Sequence, residues 1–424
     1  MRSESQIATL HIEESPRFTS SPFEPSLPPI TSLNDVDLTD PELLRCGDPH
    51  ATWRVLRDQA PVFWHEKGAR GTRGQGFWAV TTHAECSEVH RLTSVFSNTQ
   101  TEFMDLLPED IPNNLSSMDP PEHAKYRGIL RAFFTGKAIN ARAEHVRALI
   151  TAILDEAEQV KEFNFHDQIA QRVPLLATAA LLDISPEDTM SLAMQLGALD
   201  YGGQDPLAAY TRAVMDFFDD LTRDWKRGEH DSIVGAVVDA DIDGAPIDRA
   251  DALAYLWVLF TGALDTTAHA ATIGLLSLFH HPDQLELLRR DPSLATGAVT
   301  EMLRWTATSN VVKHVALTDH ELAGVPIKAG DFIATYPPSA NRDERVFADP
   351  FRFDLTRRAD APLFTFGGGP HLCLGHLFAR MELGLLFEEL FTRFPDLEQA
   401  GPAVRGEAFT MTLSPLNELP VRLR

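Results

Sequence analysis

Residues 366–375 read Phe-Gly-Gly-Gly-Pro-His-Leu-Cys-Leu-Gly and deliver a single cysteine, Cys373, to the start of a predicted helix. The first N–H groups of a helix lack partners and its dipole is positive there, so we expect a lowered thiol pKa and a favoured thiolate. Three consecutive glycines let the backbone approach a flat partner closely. Phe366 and Leu372 add apolar walls, so the sequence predicts a thiolate in a dry slot.

A phosphate-binding glycine loop is one alternative, and a loop that merely buries a cysteine is another. The segment lacks the Lys-Ser/Thr ending of a phosphate loop, and its spacing is not that of a dinucleotide site. A thiolate in a dry, flat slot is what an axial ligand of haem iron requires. The segment resembles the haem-binding signature of the cytochrome P450 family, Phe-Gly-x-Gly-x-His-x-Cys-x-Gly, at every fixed position. The resemblance extends from about Asp40 to the C-terminus.

The resemblance implies a mainly α fold with small β-sheets (α+β). We expect one large helical catalytic domain over residues 34–424, with a long central helix over the haem. Residues 1–33 contain several prolines and are predicted to form an extended tail. The implied cofactor is haem b, with Cys373 as the iron ligand and Phe366 and Gly367 in the cofactor-binding loop.

Composition limits the function classes. The chain has 424 residues, 44% of them hydrophobic, and a formal net charge of −24, which argues against nucleic acid and anionic membranes as partners. Three cysteines (Cys46, Cys86 and Cys373) without a Cys-x-x-Cys spacing favour neither a disulfide framework nor a zinc site. Residues 1–39 contain no apolar run, so we expect no signal peptide and a cytoplasmic, monomeric enzyme that is not bound to a membrane.

The longest helical pattern covers residues 249–280, which would form a rod of about 48 Å. A membrane span is the alternative, but Asp265, Thr266 and His269 in its middle argue against it. Short strand patterns follow near residues 311–317, 321–325 and 332–336. The chain is therefore predicted to be dominated by helices, with a small sheet.

Inside that helix, Thr266 can donate a hydrogen bond to the carbonyl of Gly262 and loosen the helix there. Thr and Asp within a helix are more often incidental, but residues 262–267 resemble the oxygen-activating motif of the family. The resemblance implies that Thr266 and Asp265 deliver protons during catalysis. Ala263 stands where the family has its second glycine, and its methyl group narrows the groove beside the cofactor.

Glu301 and Arg304 form an i, i+3 pair, which is usually a solvated surface pair. Here the pair resembles the Glu-x-x-Arg motif of the family, for which Arg352 would be the third member. These three residues are expected to lock the structure behind the haem, a structural role.

His123 and Arg127 lie one helical turn apart, and two donors on one helix face suit a carboxylate ligand. The resemblance makes them haem-propionate contacts, with His371 as a third donor. Where the family often has an arginine as the fourth donor, this chain has His314. A histidine can still donate, but its charge depends on pH.

Substrate contacts are implied only by the resemblance, in regions that include residues 101–114 and 409–413. A hydrophobic small molecule such as a terpenoid, steroid, polyketide or modified peptide would fit an apolar site. The candidate lining residues are Leu106, Leu107, Phe260, Leu264, Val311, Phe409 and Met411.

The implied function is a haem-thiolate monooxygenase that inserts one oxygen atom from O2 by hydroxylation or epoxidation. Electrons would come from a separate ferredoxin-type partner that docks near Arg127 and Arg131. An oxidative coupling or desaturating enzyme with the same haem is one alternative. A haem-based sensor or carrier is another, although Asp265 and Thr266 argue against it because a binder needs no proton relay.

Overall fold

The computed structural model describes residues 8–9, 30–45, 48–68, 72, 74–99, 114–197, 206–358, 361–405 and 416–424. Helices dominate these residues and small sheets complete the fold, which confirms the predicted fold class. The α-helices are α1 (Pro41–Arg45), α2 (Pro49–Gln59), α3 (His83–Arg91), α4 (Glu122–Leu130), α5 (Gly136–Asn140), α6 (Ala143–Val160), α7 (Arg172–Leu182), α8 (Pro186–Gly197), α9 (Pro206–Thr222), α10 (Ile233–Val238), α11 (Arg249–His280), α12 (Pro282–Arg290), α13 (Ala295–Thr306), α14 (Pro337–Ala340) and α15 (His376–Arg393).

The strands pair into small sheets. They are β1 (Ala8–Thr9), β2 (Val62–His65), β3 (Phe77–Val80), β4 (Phe96–Ser97), β5 (Glu162–Asn164), β6 (Asp241–Ile242), β7 (Ala245–Pro246), β8 (Val312–Ala316), β9 (His320–Leu322), β10 (Val325–Ile327), β11 (Phe332–Thr335), β12 (Glu398–Gln399), β13 (Val404–Arg405), β14 (Leu416–Glu418) and β15 (Pro420–Arg422). The largest sheet has the order β2-β3-β11-β8-β4, in which β3 and β11 are parallel and the other pairs antiparallel. The others are β1-β13-β14, β12-β15-β5, β9-β10 and β6-β7.

Helix α11 is the central rod of the fold and has the bounds that the sequence predicts. Its N-terminus is capped by the Asp248 carboxylate, which accepts a hydrogen bond from the N–H of Ala250 at 2.8 Å. It ends at His280, just before Pro282, because proline cannot continue the hydrogen-bond ladder. The rod packs against α7, α9, α10 and α13 within the main core. Among the described residues, no helix is long and apolar enough to cross a membrane.

The helix before α7 is irregular. A π-helical turn over His166–Ala170 precedes α7. Pro174 lies in the first turn of α7, where its missing N–H would have no intrahelical partner.

A buried ion pair fixes the segment before the cysteine loop. Arg304 is 1% exposed and donates to both oxygens of Glu301, at 2.6 and 2.8 Å. It also donates to the carbonyls of Asn341 and Pro350, both at 2.9 Å. This one guanidinium therefore connects α13 to two turns of the following loop.

The third member of this group is not Arg352, and that prediction is wrong. The Arg352 side chain is exposed, and only its carbonyl takes part, by accepting from other arginines. Arg357 instead places its Nε atom 3.2 Å from Oε2 of Glu301. Its Nη2 atom donates to the carbonyls of Asp349 and Arg352 at 2.9 Å. A turn in the chain brings Arg357 back to the Glu301–Arg304 pair. This contact could not be predicted from the spacing of the residues in the sequence.

We expect Arg357→Ala to lower the free energy of unfolding by about 2–3 kcal/mol, because it removes charge-assisted hydrogen bonds and leaves Glu301 with fewer partners. The matched variant Arg352→Ala should change it by less than about 0.5 kcal/mol, as for most exposed positions. Denaturant unfolding of the two variants tests this. Equal destabilisation by both would contradict the assignment.

Candidate active site

The cysteine loop is built from two 3₁₀ turns, Phe364–Phe366 and Gly369–His371, which lead to Cys373 and then to α15. The N–H of Cys373 donates to the carbonyl of Phe366 at 2.9 Å, which closes the loop on itself. Arg127 of α4 donates from Nη2 to the carbonyl of Leu372 at 2.6 Å. The loop is therefore held both internally and by α4.

The glycines of this loop are required by α3. Gly369 has a φ of +60°, and a Cβ atom there would lie 2.0 Å from the carbonyl oxygen of His90. A Cβ atom on Gly368 would lie 3.3 Å from Cβ of His90. The predicted reason for the glycines was a flat ligand, but the close neighbour that the structure shows is His90. Sequence reasoning missed this residue because nothing in its local pattern marks it.

The Cys373 thiol is subject to two opposing effects. The backbone N–H groups of Gly375 and His376 and the charge of Arg127 favour the thiolate, as the sequence predicts. Burial has the larger effect, so the pKa of the Cys373 thiol is raised rather than lowered. The predicted net direction is therefore wrong. The Cys373 side chain is accessible to solvent, yet burial still governs its pKa, so it lies in a recess within the protein.

The middle of α11 also faces a recess. Gly262 and Asp265 are exposed and Ala263, Leu264 and Thr266 half-buried, whereas residues 252–257 and 267–278 are buried. Burial raises the pKa of Asp265 although the residue is accessible to solvent, so its carboxyl group lies in a recess within the protein. The raised pKa favours the protonated acid, which can donate a proton.

Thr266 makes the predicted hydrogen bond. Its Oγ1 atom donates to the carbonyl of Gly262 at 2.9 Å. The hydroxyl lone pairs stay available to a donor such as water. An acid and a hydroxyl therefore stand side by side on the accessible stretch of α11.

Two histidines meet beside the cysteine loop. The rings of His123 (α4) and His371 have centroids 4.2 Å apart, and the Nε2 atom of each is buried without a hydrogen-bond partner in the described structure. Burial, followed by the charge of Arg127, lowers the pKa of His123. Burial, with His123 and Arg127 as further causes, lowers the pKa of His371 to about 3. Both rings are therefore neutral here.

A second histidine pair adjoins the first. His314 of β8 is 1% exposed, and its ring centroid lies 5.0 Å from that of His90, edge to face. Its Nδ1 atom lies 3.0 Å from Oδ1 of Asn98, while its Nε2 atom is buried and has no partner among the described residues. His90 and His371 both act electrostatically on His314, so the two pairs form one group. We call His90, His123, Arg127, His314 and His371 the donor cluster.

The donor cluster fits a ligand that carries carboxylates. Three imidazole nitrogens of this cluster are buried without a partner among the described residues, and buried polar atoms are normally hydrogen-bonded. Asp119 acts electrostatically on His123, but its Oδ1 atom accepts from the N–H of Asn98 at 2.9 Å. Haem b combines two carboxylates with an iron that a thiolate can ligate, so the residues present fit this group.

The predicted substrate contacts are only partly placed. Leu106, Leu107, Phe409 and Met411 lie outside the described residues. Phe260 is fully buried and packs against Phe218, with ring centroids 6.0 Å apart. Val311 is 2% exposed in the sheet core with Phe77 and Phe332. Phe260 therefore lies in a packed core, whereas Val311 lines a small cavity with Phe77 and Phe332. Of the candidates that the structure describes, Leu264 lies on the accessible stretch of α11.

Comparison with known proteins agrees with this geometry. The family model described as Cytochrome P450 matches residues 223–402. The chain is 31% identical over 400 residues to the steroid C26-monooxygenase of Rhodococcus jostii, covering 89% of this chain and 82% of that protein. It is 30% identical over 386 residues to cytochrome P450-terp of a Pseudomonas species, covering 83% of this chain and 89% of that protein.

Solved structures show the same fold. A Mycobacterium marinum cytochrome P450 in complex with pseudoionone is 26% identical, with a TM-score of 0.82, and the match covers 93% of this chain and 99% of that one. A cytochrome P450 from Novosphingobium aromaticivorans is 25% identical with a TM-score of 0.78, covering 91% and 97%. The chain therefore belongs to the cytochrome P450 family, enzymes with a haem-thiolate iron cofactor, and is a cytochrome P450 monooxygenase.

Proposed function

We propose that this enzyme inserts one oxygen atom from O2 into a hydrophobic small molecule at a haem b held by Cys373 and the donor cluster. The observation that carries the proposal is the set of partnerless Nε2 atoms on His123, His314 and His371, close to a loop with one accessible thiol. Such a set suits a ligand with two carboxylates and a metal.

Each part of the loop would have a role in holding this group. Cys373 would bind the iron through its sulfur, and metal binding would displace the proton of the thiol. Phe366 and Gly367 would contact the group from the cysteine loop, and His123, Arg127, His371 and His314 would donate to the carboxylates. When bound, thiolate-ligated haem iron supplies dioxygen activation.

The protein itself would control proton delivery. Thr266, whose own proton is donated to the Gly262 carbonyl, would accept a hydrogen bond from a water and hold it in the recess. Asp265, with its raised pKa, would donate a proton and recover it from solvent. Ala263, next to this pair, would limit the space over the cofactor.

A steroid or terpenoid substrate is supported by the named relatives. One relative is named a steroid C26-monooxygenase, and one structure of the same fold is a complex with pseudoionone. Leu264 on the accessible stretch of α11 supplies an apolar contact on this side of the recess.

We further propose that a ferredoxin-type partner docks beside α4, near Arg127 and Arg131. Arg127 contacts the cysteine loop, and Arg131 follows one helical turn later and is exposed. Lys137 of α5 is also exposed, and α5 packs against α15. Lys125 of α4 is paired with Asp243, which offsets its positive charge on this face.

The cysteine assignment has a direct test. Reduced, carbon-monoxide-bound protein should show the thiolate-type absorbance band, and Cys373→Ser should abolish the band or the bound haem. Cys86→Ser is the matched control, because Cys86 is buried and its thiol donates to the carbonyl of Val80 at 3.4 Å. A normal band in the Cys373 variant would show that another residue is the ligand.

Thr266→Ala should uncouple the consumption of reductant from the formation of product. Reductant consumption should continue, while product per reductant falls several-fold and hydrogen peroxide rises, because the water is no longer held beside Asp265. The matched control is Thr261→Ala, whose hydroxyl donates to the carbonyl of Trp257 at 2.8 Å in the same helix. Unchanged coupling in Thr266→Ala would remove this residue from the proton path.

Charge reversal at Arg131 tests the docking face. Arg131→Glu should raise the apparent KM for the ferredoxin-type partner several-fold at low salt, because local positive charge steers an acidic partner. Substrate binding should be unchanged. The difference should shrink as salt screens the charges. Lys328→Glu, in the exposed turn between β10 and β11, makes the same charge change and should have little effect. Normal electron transfer by Arg131→Glu at low salt would place the docking face elsewhere.

A further inference from the structure

His314 has only one nitrogen available for a ligand. Its Nδ1 atom lies 3.0 Å from Oδ1 of Asn98, and an amide oxygen only accepts, so Nδ1 carries a proton. A neutral imidazole has a single N–H, so its Nε2 atom then carries a lone pair. A lone pair cannot donate to a carboxylate. In this arrangement His314 can bind an anion at Nε2 only as an imidazolium.

His90 is fixed in the neutral state beside it. The Thr335 hydroxyl donates its single proton to the carbonyl of Val312 at 3.1 Å, so it accepts from Nε2 of His90, also at 3.1 Å. Gly368 and Gly369 cover the other side of His90. Burial lowers the pKa of His90 to about 4. The ring 5.0 Å from His314 therefore brings no second charge that would repel an imidazolium.

The other neighbours of His314 are mostly neutral or positive. The cysteine loop presents His371, with His123 and Arg127 beyond it. Strand β4 leads to Asn98, whose backbone is bonded to Asp119, and β11 contributes Ile333 and Thr335. Lys313 is the preceding residue on β8 and lines a separate small cavity beside Thr72 and Phe77.

Burial, with His90 and His371 as further causes, holds the pKa of His314 well below its usual value while no anion is present. An adjacent carboxylate has the opposite effect, because an opposite charge favours the ionised form.

We infer that His314 binds a cofactor carboxylate as an imidazolium and that His90 remains neutral beside it. The positive charge of His314 therefore depends on a bound proton, whereas an arginine at this position would be charged permanently. This inference rests on the proposed function. It adds that the carboxylate contact carries a proton taken up with the cofactor. The charge near the iron then depends on pH through one identified ring.

The reduction potential of the purified holoenzyme tests this, measured from pH 5.5 to 9 for wild type, His314→Arg and His314→Gln. A positive charge favours the reduced iron, so at low pH wild type should match His314→Arg and lie above His314→Gln. If the proton leaves within this range, the wild-type potential falls towards that of His314→Gln as pH rises. His320→Gln, a histidine paired with Glu88 at 2.8 Å outside the donor cluster, is the control and should follow wild type.

A wild-type potential that coincides with that of His314→Gln over the whole range would overturn the inference. It would mean that the Asn98 amide is reversed and His314 donates as a neutral ring. Absence of a thiolate-type band in wild type would instead refute the proposed function, so the two failures are distinct. If His314→Gln loses haem, NMR spectra of ¹⁵N-histidine-labelled wild type in the reduced, carbon-monoxide-bound state give the protonation of the His314 ring instead. The His314 signals are those missing from the spectrum of His314→Arg. Two protonated ring nitrogens on His314 support the inference, whereas one overturns it.

Discussion

The proposed site depends on a group of buried imidazole nitrogens that have no hydrogen-bond partner among the described residues. Each unpaired buried polar group costs about 1–3 kcal/mol, and three imidazole nitrogens of the donor cluster are in this position. What distinguishes these three atoms is that they meet beside the cysteine loop, where α4, β8 and the loop each contribute a ring. The remaining architecture, from the glycines packed on α3 to the buried pair of α13, keeps these elements together.

Burial has the largest effect on the protonation of the two reactive groups in the recesses, the Cys373 thiol and the Asp265 carboxyl group. The Cys373 thiol and the Asp265 carboxyl both have raised pKa values for this reason. For Asp265, burial keeps a proton available to donate. For Cys373, burial opposes the thiolate, so in the proposed role a bound metal would have to displace the thiol proton. The backbone N–H groups of Gly375 and His376 lessen that cost, but the start of α15 alone is not enough to make Cys373 a thiolate.

Local pattern predicted much of this. The bounds of α11, the position of Cys373 before α15 and the hydrogen bond from Thr266 to Gly262 all follow from periodicity, helix breakers and i to i−4 geometry. Long-range contacts did not follow from it. His90 meets the glycine loop, and Arg357 meets Glu301, only because the chain folds back over many residues. The burial that raises the pKa of the Cys373 thiol is likewise a property of the whole fold. Phe260 was predicted as a substrate contact from the family resemblance, which does not separate a core position from a cavity wall in this chain.

The central claim is that the donor cluster exists to bind the carboxylates of the cofactor, and one affinity measurement tests it most directly. Protein stripped of haem would be titrated with haem and with its dimethyl ester, with binding followed by tryptophan fluorescence quenching. Charge-assisted hydrogen bonds contribute about 1.5–3 kcal/mol each, so the account predicts that the ester binds at least about tenfold more weakly. Equal affinity for haem and its ester would contradict it.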